Sequence, residues 1–321
     1  MDRVRKMIGC DLPECRPYTG KGVYIAVLDS GVANHPDLEG RIAAFKDFTK
    51  DSKIKYIKNV KEDYYDDNGH GTHVCGILAG NGKSSNGKYK GIAPESILVC
   101  GKVLDKNGGG SMSALIEGVE WVIELKKTLP IRIVNISIEM DVEEKLKKDE
   151  LLLLKEYFDK LWAENTMVIS AAGNKGPGPM TLSPISECGS CICVGCHDGD
   201  YSGKGRRNCK AYSGRGPGKI SSLILNAANP LKKPDIVAPG TDIVSCNYKY
   251  NKQSYISKSG TSMAAPIVSG ACALCMHKYP SISNRDLKRI LLHTAKDLGD
   301  GWSIQGAGMV QIKGVLTSVN Y

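Results

Sequence analysis

The sequence predicts an α/β fold with a mostly parallel central sheet. From residue 22 onward, short apolar runs rich in β-branched residues alternate with longer helical stretches, a pattern typical of strands joined by crossover helices. Several of these runs end in glycine, serine, aspartate or asparagine, as expected where open α/β sheets bind ligands beyond the carboxyl ends of their strands. The 321 residues show no repeat, linker or break in composition, which predicts a single domain over residues 1–321.

Individual elements follow from local patterns. Ser111 is a suitable N-cap for a helix over 111–127, and apolar side chains near one face predict a second helix over 142–164. After Pro266 we expect two further helices, the second ending with Gly299 as its C-cap. Strands are predicted at 22–31, 95–104, 131–138, 166–174, 191–195 and 234–240.

Composition excludes several classes of protein. No apolar run approaches the roughly 20 residues that cross a bilayer, so no membrane partner is expected. The net charge of +9 is spread along the chain without a basic stripe interleaved with aromatic residues, which argues against nucleic acid. Residues 1–21 lack the apolar core of a secretory signal. We therefore predict a cytoplasmic protein with reduced cysteines, in which residues 1–21 form an N-terminal extension without a full pro-domain.

Four of the twelve cysteines fall in the stretch CGSCICVGC, residues 188–196. The spacing allows a zinc site. On a strand, however, Cys191 and Cys193 share one face while Ile192 and Val194 occupy the other, so four thiols could converge on a metal only if the strand were broken. We predict a core strand without metal, because free cysteine packs as a small hydrophobe.

Three glycine-rich segments each contain one polar residue, and the three residues together could activate a serine nucleophile. They are Asp29 in AVLDSGV, His70 in DNGHGTHVCG and Ser262 in SGTSMAAP. A serine hydroxyl becomes a nucleophile when an imidazole takes its proton, and a carboxylate holds that imidazole in the right tautomer. Each segment alone is more often a turn or a helix cap. Together, in the order Asp, His, Ser, they indicate a catalytic triad.

These segments resemble the signatures of the subtilisin-like serine proteases, the subtilases of peptidase family S8. GIAPES (91–96), VNIS (134–137), SAAGN (170–174) and KPDIVAPG (233–240) follow in the family's order. The resemblance implies a three-layer α/β/α fold, catalytic Asp29, His70 and Ser262, and Asn174 as an oxyanion-hole donor. The short loop 81–90 looks like that of the intracellular AprX-type branch.

The resemblance also implies a substrate site, in which the peptide lies as an extended strand and the S1 pocket receives the side chain before the cleaved bond. The family usually has glycine where this chain has Glu139 and Met140. We expect the Glu139 carboxylate to point to water; the alternative is a preference for basic substrate residues. By this resemblance the peptide lies between two segments, here called the substrate edges: Gly108, Gly109 and Gly110 on one side and Ser137, Ile138 and Glu139 on the other. The floor of the S1 pocket is implied to consist of Ala171, Ala172 and Gly173.

Many subtilases hold calcium with an aspartate that corresponds to Asp37 in HPDL, together with a glutamine and an inserted loop. No glutamine precedes the first predicted strand here, and residues 81–90 contain no carboxylate. Calcium prefers several oxygen ligands, ideally anionic. We therefore predict that this site is lost and that no cofactor is required, leaving open calcium at another, undetermined site.

The predicted function is that of an intracellular serine endopeptidase acting through an acyl-enzyme on peptide or protein substrates. It either processes a peptide precursor or degrades proteins. Two alternatives belong to other classes: a pseudoprotease that binds peptides without cutting them, and a zinc-binding interaction protein that rests on the cysteines alone.

Overall fold

The computed structural model describes residues 1–49, 57–58, 63–139, 148–201, 208–218 and 231–318, with 57–58 described by backbone pairing only. Its centre is an eight-stranded sheet in the order β3-β2-β4-β1-β5-β6-β7-β8. Seven of these strands are parallel, and β3 runs antiparallel to β2 at one edge. The strands are β1 Tyr24–Asp29, β2 Ile42–Asp47, β3 Ile57–Lys58, β4 Ile97–Lys102, β5 Ile131–Ile136, β6 Met167–Ala171, β7 Cys191–Cys196 and β8 Ile236–Ala238. A separate antiparallel pair consists of β9 Ile243–Cys246 and β10 Tyr255–Lys258.

Helices cover both faces of the sheet, because its strands are apolar on both sides. In β1, Ile25 and Val27 pack into the core that contains the side chains of α2 and α5, whereas Ala26 and Leu28 pack into the core under α3 and α4. This gives the three layers that the sequence predicts. The helices of the described residues are α1 Asp2–Met7, α2 His70–Ala79, α3 Met112–Leu125, α4 Lys148–Ala163, α5 Thr261–Lys278, α6 Asn284–His293, α7 Trp302–Gln305 and α8 Ile312–Thr317.

Most predicted elements are confirmed. All six predicted strands are present, and Ser111 caps α3 by accepting a hydrogen bond from the backbone N–H of Ala114. The helix predicted over 142–164 is observed from Lys148, and residues 142–147 lie outside the described residues. Among the described helices, none has the length and apolar character needed to cross a membrane.

The prediction that Gly299 caps a helix is wrong. The helix α6 ends at His293, and the chain then turns away because Lys296 and Met309 exchange backbone hydrogen bonds of 2.8 Å as an antiparallel bridge. Gly299 still has a positive φ of 77°, but in a loop stabilised by the Asp297 carboxylate.

Residues Cys191–Cys196 of the cysteine-rich stretch form the fully buried core strand β7, as predicted. Ile192 and Val194 face α5, and Cys191 and Cys193 face the opposite layer. Burial raises the pKa of the Cys193 thiol to about 12, so it stays protonated. The expectation that all cysteines are reduced is wrong for one pair, because Cys196 forms a disulfide with Cys209, whose Cα lies 5.6 Å away.

Candidate active site

Asp29 and His70 are in contact at the carboxyl end of the central sheet. Asp29 is the last residue of β1, and His70 is the first residue of α2. Nδ1 of His70 lies 2.8 Å from Oδ1 of Asp29, and the same oxygen accepts the backbone N–H of Ser30 at 2.7 Å. Because a carboxylate oxygen accepts here, Nδ1 carries the proton when the His70 imidazole is neutral, and Nε2 then keeps its lone pair.

The electrostatic surroundings of His70 favour its protonated form. Burial, the largest influence, lowers the pKa of His70, but the charge of Asp29 and its hydrogen bond together raise the pKa above the ordinary value for histidine. The neighbouring His73 behaves in the opposite way: burial lowers its pKa to about 3. Its Nε2 donates to the carbonyls of Ile243 and Ile256, so His73 is a neutral structural residue.

Asp66 fixes the loop that leads into His70. This carboxylate is almost fully buried, and it accepts hydrogen bonds on both oxygens. The donors also include the Ser30 hydroxyl, which adjoins Asp29, so one carboxylate connects the two halves of the Asp–His pair. The five bonds come from Ser30 Oγ (3.0 Å), Asn68 N (3.0 Å), Gly69 N (2.7 Å), Thr72 N (2.9 Å) and Thr72 Oγ1 (2.6 Å).

A buried lysine supports the same region from the next strand. Lys102 ends β4 and pairs with Asp29 in the register of the sheet. Its Nζ donates to the carbonyls of Ser30 and Leu104 at 3.0 and 2.7 Å, and it forms an ion pair of 2.6 Å with Asp67. The positive charge of Lys102 is therefore balanced by the Asp67 carboxylate, and the lysine connects the loops that follow β1 and β4.

Asn174 lies beside the start of α5. Its Oδ1 accepts hydrogen bonds from the backbone N–H and the hydroxyl of Thr261, at 3.0 and 3.2 Å. The Thr261 hydroxyl also accepts the backbone N–H of Gly173 at 3.2 Å. These three bonds fix the direction of the Asn174 amide and join the loop after β6 to the residue that precedes Ser262.

Ser262 is the second residue of α5 and is 8% exposed. The helix begins after Gly260, whose φ of 150° disfavours other residues, and Gly260 N–H donates to the carbonyl of Gly240 at 2.9 Å. The first N–H groups of a helix have no partner within it and form the positive end of its dipole. Ser262 therefore lies where a developing negative charge is stabilised.

The proposed substrate edges follow the two strands on either side of β1. Gly108, Gly109 and Gly110 follow β4 and are exposed, with Gly110 bridged to Leu104. Ser137, Ile138 and Glu139 follow β5, where Ser137 and Ile138 are buried and Glu139 is half-buried. In the predicted S1 floor, Ala171 and Ala172 are fully buried in different clusters, Ala172 packing with Leu182 and Cys193.

The expectation that Glu139 points to water is wrong. Its Oε2 accepts a hydrogen bond of 2.9 Å from the side-chain amide of Asn174. The reason is local: Thr261 occupies the oxygen of that amide, so the nitrogen faces the carboxylate. Met140 lies outside the described residues.

At the calcium site that the sequence predicts to be lost, the Asp37 carboxylate is hydrogen-bonded to protein donors. Asp37 is fully buried, and its Oδ1 accepts the backbone N–H of Ser84 at 2.8 Å while its Oδ2 accepts the Tyr255 hydroxyl at 2.6 Å. The adjacent His35 donates through Nε2 to the carbonyl of Ser254 and accepts through Nδ1. Protein donors therefore surround the carboxylate.

Sequence reasoning missed Asp66, Lys102 and Thr261. Asp66 and Thr261 lie within or next to the motifs and could have been identified as polar residues close to His70 and Ser262. Lys102 had a different signal, because a lysine at the end of an otherwise apolar strand requires a partner when buried.

The chain is similar to known proteins along most of its length. A family model described as the subtilase family matches residues 20–309. Serine protease AprX of Bacillus subtilis (strain 168) is 37% identical over 91% of this chain and 65% of its own length, so the chain spans about two thirds of that relative. Subtilisin Savinase of Lederbergia lenta is 31% identical over 92% of this chain and 91% of its own. The solved structure of Sphericase superposes with a TM-score of 0.74 at 26% identity, covering 96% of each chain.

Proposed function

Because the chain belongs to the subtilase family of serine endopeptidases, we propose that it hydrolyses peptide bonds with Asp29, His70 and Ser262 as its catalytic triad. The observation that carries the proposal is the 2.8 Å contact between His70 Nδ1 and Asp29 Oδ1, which leaves Nε2 as a base. The start of α5 supplies Ser262 with a polarised environment.

In this mechanism, Nε2 of His70 takes the proton of Ser262 Oγ as that oxygen attacks the substrate carbonyl. The resulting oxyanion accepts hydrogen bonds from the Asn174 side-chain amide and the Ser262 backbone N–H. His70 then gives its proton to the leaving amine, and an acyl-enzyme remains. Water, activated by the same imidazole, hydrolyses the acyl-enzyme and restores Ser262.

The substrate is proposed to bind as an added strand between 108–110 and 137–139. Both segments extend beyond strands that neighbour β1, so they flank the carboxyl end at which Asp29 lies. Backbone hydrogen bonds along an extended peptide give affinity that is independent of sequence, and side-chain pockets give specificity.

Residues 1–21 are proposed to be part of a single peptidase domain rather than an inhibitory segment. Val4, Ile8 and Cys15 are buried in the same core cluster as α5. Arg5 donates to the carbonyl of Gly91 at 2.5 Å, and the carbonyl of Ile8 accepts the N–H of Ile312. A segment so integrated stabilises the fold and cannot leave without exposing apolar surface.

An intracellular location and a role in either precursor processing or protein degradation remain parts of the proposal. Ten of the twelve cysteines are free and buried, which suits a reducing compartment, whereas the Cys196–Cys209 disulfide is the exception. Subcellular fractionation of the full chain tests the location. Mass spectrometry of peptides cut from a proteome-derived library tests whether cleavage is narrow or general.

A fluorophosphonate probe tests the catalytic proposal directly. The wild type is expected to be labelled, Ser262→Ala is expected to lose labelling, and Ser257→Ala, an exposed serine of β10, is expected to keep it. Absence of labelling in the wild type, or equal labelling of Ser262→Ala, contradicts the proposal.

A further inference from the structure

We propose that Glu139 is a specificity-determining residue that couples the substrate's P1 side chain, the one before the cleaved bond, to the oxyanion hole. In the free protein its carboxylate holds the Asn174 amide; a P1 lysine or arginine draws the carboxylate away and releases the amide for catalysis. The inference rests on the proposed protease function and names its substrate class: peptides cleaved after a basic residue.

The first step is that the held amide is the catalytic one. Asn174 Nδ2 donates to Glu139 Oε2 at 2.9 Å. Rotation of the amide cannot relieve this contact, because Oδ1 is fixed by both the N–H and the hydroxyl of Thr261. The carboxylate therefore binds the one side-chain donor proposed for the oxyanion, and it is Glu139 that has to move.

The second step is that the carboxylate lies where a P1 side chain enters. Oε1 of Glu139 is 3.3 Å from the position that a Cβ on Gly173 would occupy, and Ser183 N is 3.2 Å from the same point. Gly173 belongs to the proposed S1 floor, and Leu182 is buried beside it with Ala172. A side chain that enters over Gly173 meets the carboxylate at once.

The third step is electrostatic. A carboxylate hydrogen-bonded to an oxyanion donor repels the negative charge that develops on the substrate oxygen. Glu139 has no ion-pair partner within the part of the chain that the structure describes, so none of the described cations neutralises it. A P1 ammonium or guanidinium supplies that cation. An apolar P1 residue leaves this repulsion in place, and it also costs free energy because it removes water from the Glu139 carboxylate.

A consequence follows for the kinetics. A charge that only improved binding would act on KM, whereas release of an oxyanion donor acts in the transition state and therefore on kcat. The preference for a basic P1 residue is accordingly expected in the acylation rate. Lysine and arginine should both be accepted, because the essential property is positive charge.

The experiment uses the full chain and three variants. Glu139→Gln keeps the size and an oxygen acceptor for Asn174 but removes the charge; Glu139→Gly restores the residue usual in the family. Glu156→Gln, on the exposed side of α4, is the charge-matched control. Peptides that differ only at P1, with arginine, lysine, leucine or methionine, are compared for kcat and KM separately, and thermal melts establish that each variant is folded.

The wild type and Glu156→Gln are expected to prefer arginine and lysine over leucine by about 10²-fold, the effect of a desolvated charge pair, with most of it in kcat. In Glu139→Gln the preference should fall to about threefold, and the kcat for the leucine peptide should rise. Labelling by an uncharged fluorophosphonate should also become faster in this variant.

A wild type that is labelled but cleaves the leucine peptide as well as the arginine peptide overturns the inference while leaving the protease proposal intact. So does a preference confined to KM, or one that both Glu139 variants retain. A wild type that is neither labelled nor active on any peptide overturns both proposals together.

Discussion

Replacing Asp66 with asparagine should destabilise the protein and misalign the proposed catalytic pair of Asp29 and His70. The substitution keeps the size of the side chain and one oxygen, which can still serve Ser30, Asn68 and Gly69. The new amide nitrogen, however, faces the backbone N–H of Thr72, 2.9 Å from the oxygen it replaces. Two donors then oppose each other in a buried place.

The magnitude follows from these bonds. The Thr72 N–H loses its acceptor while buried, which costs about 1–3 kcal/mol. The three bonds to the remaining oxygen change from a charged to a neutral acceptor, and each weakens by about 1 kcal/mol. Because bonds that share one acceptor group are not additive, we expect a decrease of about 3–5 kcal/mol in the free energy of unfolding. Activity should fall by about 10–100-fold, since Gly69 precedes His70 and small displacements are costly.

The free energy of unfolding is measured by urea titration with tryptophan fluorescence, in a Ser262→Ala background that prevents self-digestion. Activity is measured separately in the active protein and normalised to the sites labelled by a fluorophosphonate. Asp63→Asn is the matched control, because Asp63 is an exposed aspartate of the same loop and should change stability by no more than about 0.5 kcal/mol. Equal unfolding midpoints and equal activities for the two variants would refute the reasoning.

The pKa of His70 is raised, and His70 must be deprotonated to act as a base, so the midpoint of the acid limb of the kcat/KM profile should lie above about pH 6.5, the ordinary pKa of histidine. In a pH-rate profile, Asp29→Asn should move this midpoint to lower pH and reduce kcat by about 10⁴-fold. Tyr255→Phe removes the hydrogen-bond partner of a buried oxygen of Asp37 and should lower the free energy of unfolding by about 1–3 kcal/mol in a urea titration. Thr261→Val should reduce kcat by about 10–100-fold by loosening the oxyanion loop, and Thr261→Ser should retain activity; equal kcat values in steady-state assays would count against that role.

The sequence predicted those parts of the molecule whose determinants are local. The strand at 191–195 is apolar in an unbroken run, and burial on both faces follows from that pattern. Ser111 caps α3 through an atom three residues away. The segments that contain Asp29, His70 and Ser262 are likewise local, because each consists of contiguous residues, and the contact between Asp29 and His70 agrees with them. The catalytic roles of the three residues stay a prediction.

Features that depend on residues far apart in the chain were not predictable in this way. The direction of Glu139 is set by the Asn174 amide, and the direction of that amide is set by Thr261, 87 residues further on. Asp37 and Tyr255 are 218 residues apart. Cys196 and Cys209 are only 13 residues apart, but no pattern distinguishes that pair from the other cysteines. In each case the tertiary fold, not the local sequence, selects the partner.

The central helix α5 carries Ser262, the proposed nucleophile, at one end and is buried over nearly its whole length. Its partners include strands β5, β6 and β7, so the position of Ser262 depends on the integrity of the entire core. A molecule that unfolds far enough to be cleaved as a substrate therefore also displaces its own Ser262 and loses activity. For an enzyme surrounded by copies of itself, this arrangement limits self-digestion to encounters between an intact molecule and a damaged one.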